Sequence, residues 1–156
     1  MRAFLEHFYS LLIAIGNSLQ TPFLLLVRLF WGWSFFRAGL GKLLGIGPVI
    51  AYFQSIGVPL PSVSAHSAAI VECFGGALLI LGLGSRLVAI PLMITMIVAF
   101  LTAFPDAVRM FFYYPQNLVM KDPFNFFFAA LIIFIFGPGK VSLDHWLKKN
   151  YFSGKL

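Results

Sequence analysis

Four long apolar stretches constrain this chain more than any other feature. They cover residues 22–41, 66–83, 86–104 and 124–137. A helix that crosses a bilayer needs roughly 20 mostly apolar residues, because lipid offers no partners to backbone N–H and C=O groups. Of the 156 residues, 60% are hydrophobic and only 10% are charged. A soluble domain of this size has fewer hydrophobic and more charged residues. The sequence therefore predicts an all-α integral membrane protein with a four-transmembrane-helix bundle.

The first twenty residues have a different pattern, with apolar side chains on one side of a predicted helix and polar ones on the other. The apolar side carries Phe4, Leu5, Phe8, Leu11, Leu12, Ile15 and Leu19, and the polar side carries Arg2, Glu6, Ser10 and Asn17. This pattern is typical of an N-terminal amphipathic helix in the membrane interface. The alternative is a signal peptide, which Glu6 and the absence of a clear small-x-small cleavage site disfavour.

The predicted organisation follows from these patterns. An N-terminal amphipathic interfacial helix covers residues 1–20, a four-helix membrane domain covers 21–147, and a basic cytoplasmic tail covers 148–156. The last apolar stretch is the shortest, and it either starts at 124 or begins earlier, near Val119, and bends at Pro123.

Lysine and arginine residues outside the spans predict the orientation. With four spans, both termini lie on one side, which carries Arg2, Arg86, Lys140, Lys148, Lys149 and Lys155, whereas the other side carries Lys42, Arg109 and Lys121. Because basic loops stay in the cytoplasm, we expect both termini to be cytoplasmic. The net charge of +6 then reflects topology and attraction to membrane lipids, and no nucleic-acid partner is predicted, since a clustered basic groove is lacking.

Arg28, Arg37 and Glu72 fall inside predicted spans, where a charge is expensive and usually faces a partner or a water-filled cavity. Glu72 belongs to a helix face of small residues, which another helix can approach closely. That face comprises Ser64, Ala68, Glu72 and Gly76, with Ala65, Ala69, Cys73 and Ala77 in the adjacent row. Depth along the helices and the lean of side chains toward helix N-termini favour an Arg37–Glu72 pair. Such a pair is either a functional site or a structural lock between two helices.

Several motifs occur in an order that resembles the DoxX family of small bacterial membrane proteins. They are Arg28-Leu-Phe-Trp-Gly32 with Phe35, Gly39 and Lys42, then Glu72-Cys-Phe-Gly-Gly76, Leu81-Gly-Leu-Gly-Ser-Arg86, Asp122-Pro-Phe124 and Phe136-Gly-Pro-Gly-Lys-Val-Ser-Leu-Asp144. The resemblance spans roughly residues 22–147 as a match of motifs. It implies a four-helix protein of the bacterial inner membrane. Some relatives are described as subunits of quinone-linked oxidoreductases and others as partners in oxidative-stress complexes.

The resemblance also implies which face of the first span points inward. Arg28 and Lys42 lie on that face, whereas Arg37 does not, in conflict with the depth argument. The predicted intramembrane polar site therefore contains Glu72, Arg28, Arg37 and Lys42, and the predicted helix-packing residues are Gly32, Gly39, Ala68, Gly75 and Gly76. Many relatives carry a His near the outer end of the third span, where this chain has Phe104-Pro105-Asp106, so a role for that His does not transfer.

No self-contained catalytic or cofactor motif is evident in the sequence. Cys73 is the single cysteine, which excludes a C-x-x-C pair. His66 and His145 fall on opposite sides of the membrane, too far apart to hold a haem together, and no metal site is predicted. A quinone or lipid needs only an apolar cleft with one or two polar groups.

Two functional hypotheses remain open from the sequence. The first is an accessory or quinone-interacting subunit of a membrane redox or oxidative-stress system. The second is a non-enzymatic scaffold or small-solute carrier that acts through helix–helix assembly, with a second copy or with another membrane or redox protein.

Overall fold

The computed structural model describes residues 2–151, with side chains for 4–150, so the predicted charges Arg2 and Lys155 and most of the predicted 148–156 tail lie outside the described side chains. The elements are α1 (Arg2–Leu44), α2 (Ile46–Ser55), α3 (Pro61–Leu81), α4 (Ser85–Ala103), α5 (Pro105–Arg109), α6 (Gln116–Val119), α7 (Asp122–Phe136) and α8 (Leu143–Tyr151). Every regular element in this part of the chain is an α-helix, as predicted. Three of them, α1, α3 and α4, are long and apolar enough to cross a membrane.

The first helix is one element of 43 residues. At about 1.5 Å per residue it is about 64 Å long, roughly twice the hydrocarbon thickness of a bilayer. The sequence predicts a separate amphipathic helix over residues 1–20, but no turn separates this segment from the first span. Pro22 lies inside the helix, where its missing N–H removes a single backbone hydrogen bond and does not end the element. The apolar side chains of the first twenty residues that are described are exposed on the single chain.

The most extensive helix pair in the described chain is α1 against α3. The two helices run antiparallel and approach each other closely. A Cβ on Gly39 would collide with the backbone of Cys73, and the same Cβ would lie 2.7 Å from the carbonyl oxygen of Ala69. A Cβ on Gly32 would lie 3.1 Å from the carbonyl oxygen of Gly76. Glycine at these positions is what allows the two backbones to meet.

Side chains from α1, α3, α4 and α7 form the core of the bundle. They are Phe35, Leu79, Leu92, Met96, Ala130 and Ile133. Phe35 packs edge-to-face on Phe126 of α7, with ring centroids 4.6 Å apart. Because α7 has 15 residues, or about 22 Å, it belongs to the bundle but is shorter than the three candidate spans. Four membrane spans therefore stay a prediction.

The segments that connect the long helices lie at the two ends of the bundle. We call the end that carries α2, α5 and α6 the α2 end, and the opposite end, with the α3–α4 turn and α8, the α8 end. The sequence did not predict α2, a ten-residue helix that packs on α3. At the α8 end, Gly82 and Gly84 adopt left-handed conformations (φ 69° and 59°), so the chain reverses between α3 and α4 within three residues.

Candidate functional site

Glu72 is buried in the middle of α3, on the face that packs against α1. Its side chain is 3% exposed. The buried positions of α3 are Ala65, Ala69, Glu72, Cys73, Gly75, Gly76 and Leu79. Spacings of three and four place most of these residues on one side of the helix, so the carboxylate of Glu72 lies where α1 comes closest.

Lys42 supplies the partner of that carboxylate, since its Nζ forms an ion pair and hydrogen bond with Glu72 Oε2. Lys42 lies near the C-terminal end of α1 and leans back along it, while Glu72 leans toward the N-terminal end of the antiparallel α3. The two side chains therefore converge between the helices. The lysine side chain is 32% exposed, so the pair is buried on the side of the carboxylate and open on the side of the amine.

The prediction of an Arg37–Glu72 pair from depth is wrong. Arg37 is exposed on α1, and Glu72 pairs with Lys42. Arg37 lies two residues from both Phe35 and Gly39, which are buried, and two residues correspond to about 200° around a helix. The partner of Glu72 is therefore set by the side of α1 on which a residue lies, and not by its depth in the membrane. The family resemblance implied that Arg28 and Lys42 lie on the inward side of α1, and the structure agrees.

Arg28 is also buried, but it lies apart from the Lys42–Glu72 pair. Fourteen residues of α1 separate Arg28 from Lys42, which is about 21 Å along the axis. At the α8 end, Arg28 Nη1 donates a hydrogen bond to the carbonyl oxygen of Pro138 at 2.9 Å, and the Asp144 carboxylate attracts the guanidinium. The structure thus brings together two of the four predicted polar residues and places Arg28 in a second cluster.

The predicted helix-packing residues have different surroundings. Gly32, Gly39 and Gly76 lie in the α1–α3 contact, whereas a Cβ on Gly75 would lie 3.0 Å from the side chain of Leu92 on α4. Ala68 is partly exposed. The small-residue face of α3 packs against α1 of the same chain at Ala69, Cys73 and Gly76, which lie next to Gly39 and Gly32. An external helix therefore has no access to these positions.

Asp144 organises the α8 end, and sequence reasoning assigned it no role beyond its place in a family motif. Its Oδ1 accepts the backbone N–H of Gly84 at 2.7 Å, its Oδ2 accepts that of Ser85 at 2.9 Å, and its own N–H donates to the carbonyl of Gly82 at 2.9 Å. The N–H groups of Gly84 and Ser85 lie at the start of α4 and have no partner within that helix. Asp144 therefore caps α4, although it lies 60 and 59 residues further along the chain. The signal in the sequence was an acidic residue shortly after a Gly-Pro-Gly break.

The described part of the chain contains no group of three His, Cys, Asp or Glu side chains placed to hold a metal ion. Cys73 is buried as a free thiol beside Gly39. His66 Nδ1 is 2.7 Å from the carbonyl oxygen of Ser62 within α3. The buried polar or charged side chains of the described residues are Arg28, Glu72 and Ser85.

Comparisons with known proteins agree with the motifs. The DoxX family model matches residues 23–105, a range that contains Arg28, Lys42 and Glu72 but not Asp144. The Bacillus subtilis (strain 168) protein named "Putative oxidoreductase CatD" is 41% identical over 78 residues, which are 50% of this chain and 57% of that protein. The Mycobacterium tuberculosis (strain ATCC 25618 / H37Rv) protein named "Uncharacterized membrane protein Rv3486" is 27% identical over 138 residues, or 83% of each chain. No solved structure matches.

Proposed function

This chain belongs to the DoxX family, and we propose that it is an accessory or quinone-interacting subunit of a redox or oxidative-stress system in the bacterial inner membrane. In this proposal both termini are cytoplasmic, and the α8 end is the cytoplasmic end. Arg86, Lys140, Lys148 and Lys149 lie at that end, where the positive-inside rule expects basic residues.

The Lys42–Glu72 pair is the observation that carries the proposal. A charged pair at membrane depth is expensive to bury, and apolar residues of similar size would pack at least as well. Its two groups match the polar ends of a quinone and of a quinol. A lysine amine donates to a carbonyl oxygen, and a carboxylate accepts from a hydroxyl. Because Lys42 is partly exposed, a ligand that arrives from the lipid has access to the amine first.

A redox role also fits the name of one relative. That relative is named "Putative oxidoreductase CatD", and the similarity spans 57% of its length. In the proposal this chain contributes the binding surface, and a partner protein contributes the electron-transfer group. Predicted partners are membrane lipids and another membrane or redox protein.

The second candidate function is a non-enzymatic scaffold or small-solute carrier. One specific observation favours it, because the first half of α1 presents exposed apolar side chains, such as Phe4, Phe8 and Leu12, that nothing in the described chain covers. A second copy or a membrane partner that packs on this segment would bury them. Assembly in this hypothesis uses α1, since α1 already packs on the small-residue face of α3 at Ala69, Cys73 and Gly76.

Mass spectrometry of organic extracts tests the redox proposal. Protein purified in mild detergent is compared with bulk membrane lipid, as wild type, as Glu72→Gln and as Arg37→Gln, which removes a charge from the exposed face of α1. We expect a quinone to be enriched in wild type and Arg37→Gln and lost in Glu72→Gln. If no quinone is enriched in wild type, the redox proposal is wrong and the scaffold or carrier function is favoured.

A double variant separates binding from stability. In Lys42→Gln/Glu72→Gln both charges are gone, so neither partner is left as an unpaired charge and two amides take their place. We expect its thermal unfolding to lie closer to that of wild type than Glu72→Gln does, while quinone enrichment stays lost. Enrichment that follows stability across all variants would identify the pair as a structural lock.

A further inference from the structure

A cavity of about 490 Å³ opens at the α8 end, between α1, the start of α4 and the segment that joins α7 to α8. This volume is within the range of roughly 300–1,000 Å³ that small-molecule sites occupy. Gln20 and Thr21 of α1 form one side of it, and the backbone of Gly137 and Gly139 lies on another. The cavity lies about 27 Å or more from Lys42 along α1, so it is separate from the Lys42–Glu72 pair.

The lining of this cavity is basic. Three cationic side chains, Arg86, Lys140 and Lys148, contribute to it, against a single carboxylate, that of Asp144. Both oxygens of that carboxylate already accept backbone N–H groups, from Gly84 and Ser85. The lining therefore carries three positive charges against one negative charge, an excess that attracts an anion.

Arg86 is held at the cavity by the chain itself. Its Nη2 donates to the carbonyl oxygen of Ile135 at 3.2 Å, and its guanidinium lies against Gly137. A guanidinium carries five N–H donors in a planar fork, so one hydrogen bond orients it and leaves the others for a ligand. Such a fork fits two oxygens of a phosphate at once.

Exposed apolar side chains adjoin the basic lining. Leu87 is 75% exposed and Phe136 is 55% exposed, and both line the cavity. A ligand with a charged head and a hydrocarbon tail would place its head against the cations and its tail over these two residues. A basic pocket between transmembrane helices on the cytoplasmic side is a common form of lipid headgroup site.

We propose that this cavity binds the phosphate group of an anionic amphiphile, with Arg86, Lys140 and Lys148 as the recognising cations and Leu87 and Phe136 as the apolar wall. The same phosphate chemistry occurs in phospholipid headgroups and in soluble phosphate esters. The apolar side chains of Leu87 and Phe136 favour the lipid, and a binding assay distinguishes the two sources.

Native mass spectrometry in mild detergent tests the proposal, with phosphatidylglycerol as the anionic probe and phosphatidylcholine as the zwitterionic probe. The variant is Lys140→Gln/Lys148→Gln, which leaves the Arg86 contact intact. The control is Arg109→Gln/Lys149→Gln, which removes the same charge from residues that do not line the cavity. Each cation near a membrane surface contributes about 1 kcal/mol, so we expect about fivefold weaker binding of phosphatidylglycerol per lysine removed, and little change in the control.

Two outcomes would overturn the proposal: equal losses in the variant and the control, or equal binding of the two lipids by wild type. Excess glycerol phosphate identifies the source. If it does not displace phosphatidylglycerol, the site is a lipid site; if it does, the site takes soluble phosphate esters, and the recognition of phosphate stands. Thermal unfolding of each variant in the same detergent shows whether the fold is kept. Arg86→Lys, which retains the charge without the fork, should lose less binding than Arg86→Gln.

Discussion

Asp144 Oδ1 accepts a hydrogen bond from the backbone N–H of Gly84 at 2.7 Å, although 60 residues separate the two. The contact joins the last described helix to the turn between α3 and α4. Since Ser85 N–H donates to the second carboxylate oxygen, one side chain satisfies two N–H groups that α4 cannot pair internally. It also keeps a negative charge at a helix N-terminus and near the buried guanidinium of Arg28.

Asp144→Ala should destabilise the protein. Loss of a helix cap costs about 1–2 kcal/mol, and here Arg28 loses its nearby negative charge as well. Asp144→Asn keeps one acceptor oxygen and should cost less. Thermal unfolding in detergent measures both, with Asp106→Ala, an exposed acidic residue in α5, as the control. Equal unfolding temperatures for Asp144→Ala and Asp106→Ala would show that the cap contributes nothing.

Gly39→Ala should loosen the contact between α1 and α3. Its new Cβ would meet backbone atoms of Cys73 and Ala69, which have no rotamer to change, and overpacking of this kind costs roughly 1–3 kcal/mol. Gly41→Ala is the matched control, because nothing lies within 4 Å of the corresponding Cβ on the same helix. We expect lower thermal stability for Gly39→Ala only. Similar unfolding of both variants would mean that helix propensity, rather than close approach, sets the result.

Lys42→Gln should destabilise the protein more than Arg37→Gln does. Removing one partner of a fully buried ion pair costs about 3–5 kcal/mol, and the loss here should be smaller because Lys42 is partly exposed. Arg37 is exposed on the other side of the helix, and its replacement should leave unfolding nearly unchanged. Denaturation in mild detergent ranks the variants. The reverse ranking would place Arg37, not Lys42, beside Glu72.

Single cysteines at the two ends of the bundle should report opposite sides of the membrane. In a Cys73→Ala background, Tyr113→Cys lies at the α2 end, where Tyr113 is 82% exposed, and Lys149→Cys lies on α8. A maleimide that does not cross membranes should label Tyr113→Cys in cells with an intact inner membrane, and Lys149→Cys only after the membrane is opened. The opposite pattern would reverse the proposed orientation, and labelling of both from outside would place the two ends on one side.

A lipid environment and the long helices could be predicted from the sequence. Apolar stretches long enough to cross lipid can satisfy their backbone only as helices, so α3, α4 and the second half of α1 followed from composition and periodicity. The sequence did not predict α2 or the unbroken length of α1. The family motifs also predicted which side of α1 faces the other helices, and the residues of that side, Arg28, Gly32, Phe35 and Gly39, are all buried. Periodicity alone did not predict this side, because α1 is apolar on most sides.

Which charges meet depends on how the helices pack against one another. Depth along a helix is readable from residue number, but a pair also needs both side chains to face the same gap, and that depends on how α1 rotates against α3. Close approach at Gly39 and Gly76 sets this rotation, which turns Lys42 toward Glu72 and Arg37 away from it. Likewise, the capping of α4 by Asp144 depends on where the segment after α7 folds back, and no local pattern encodes a contact across 60 residues.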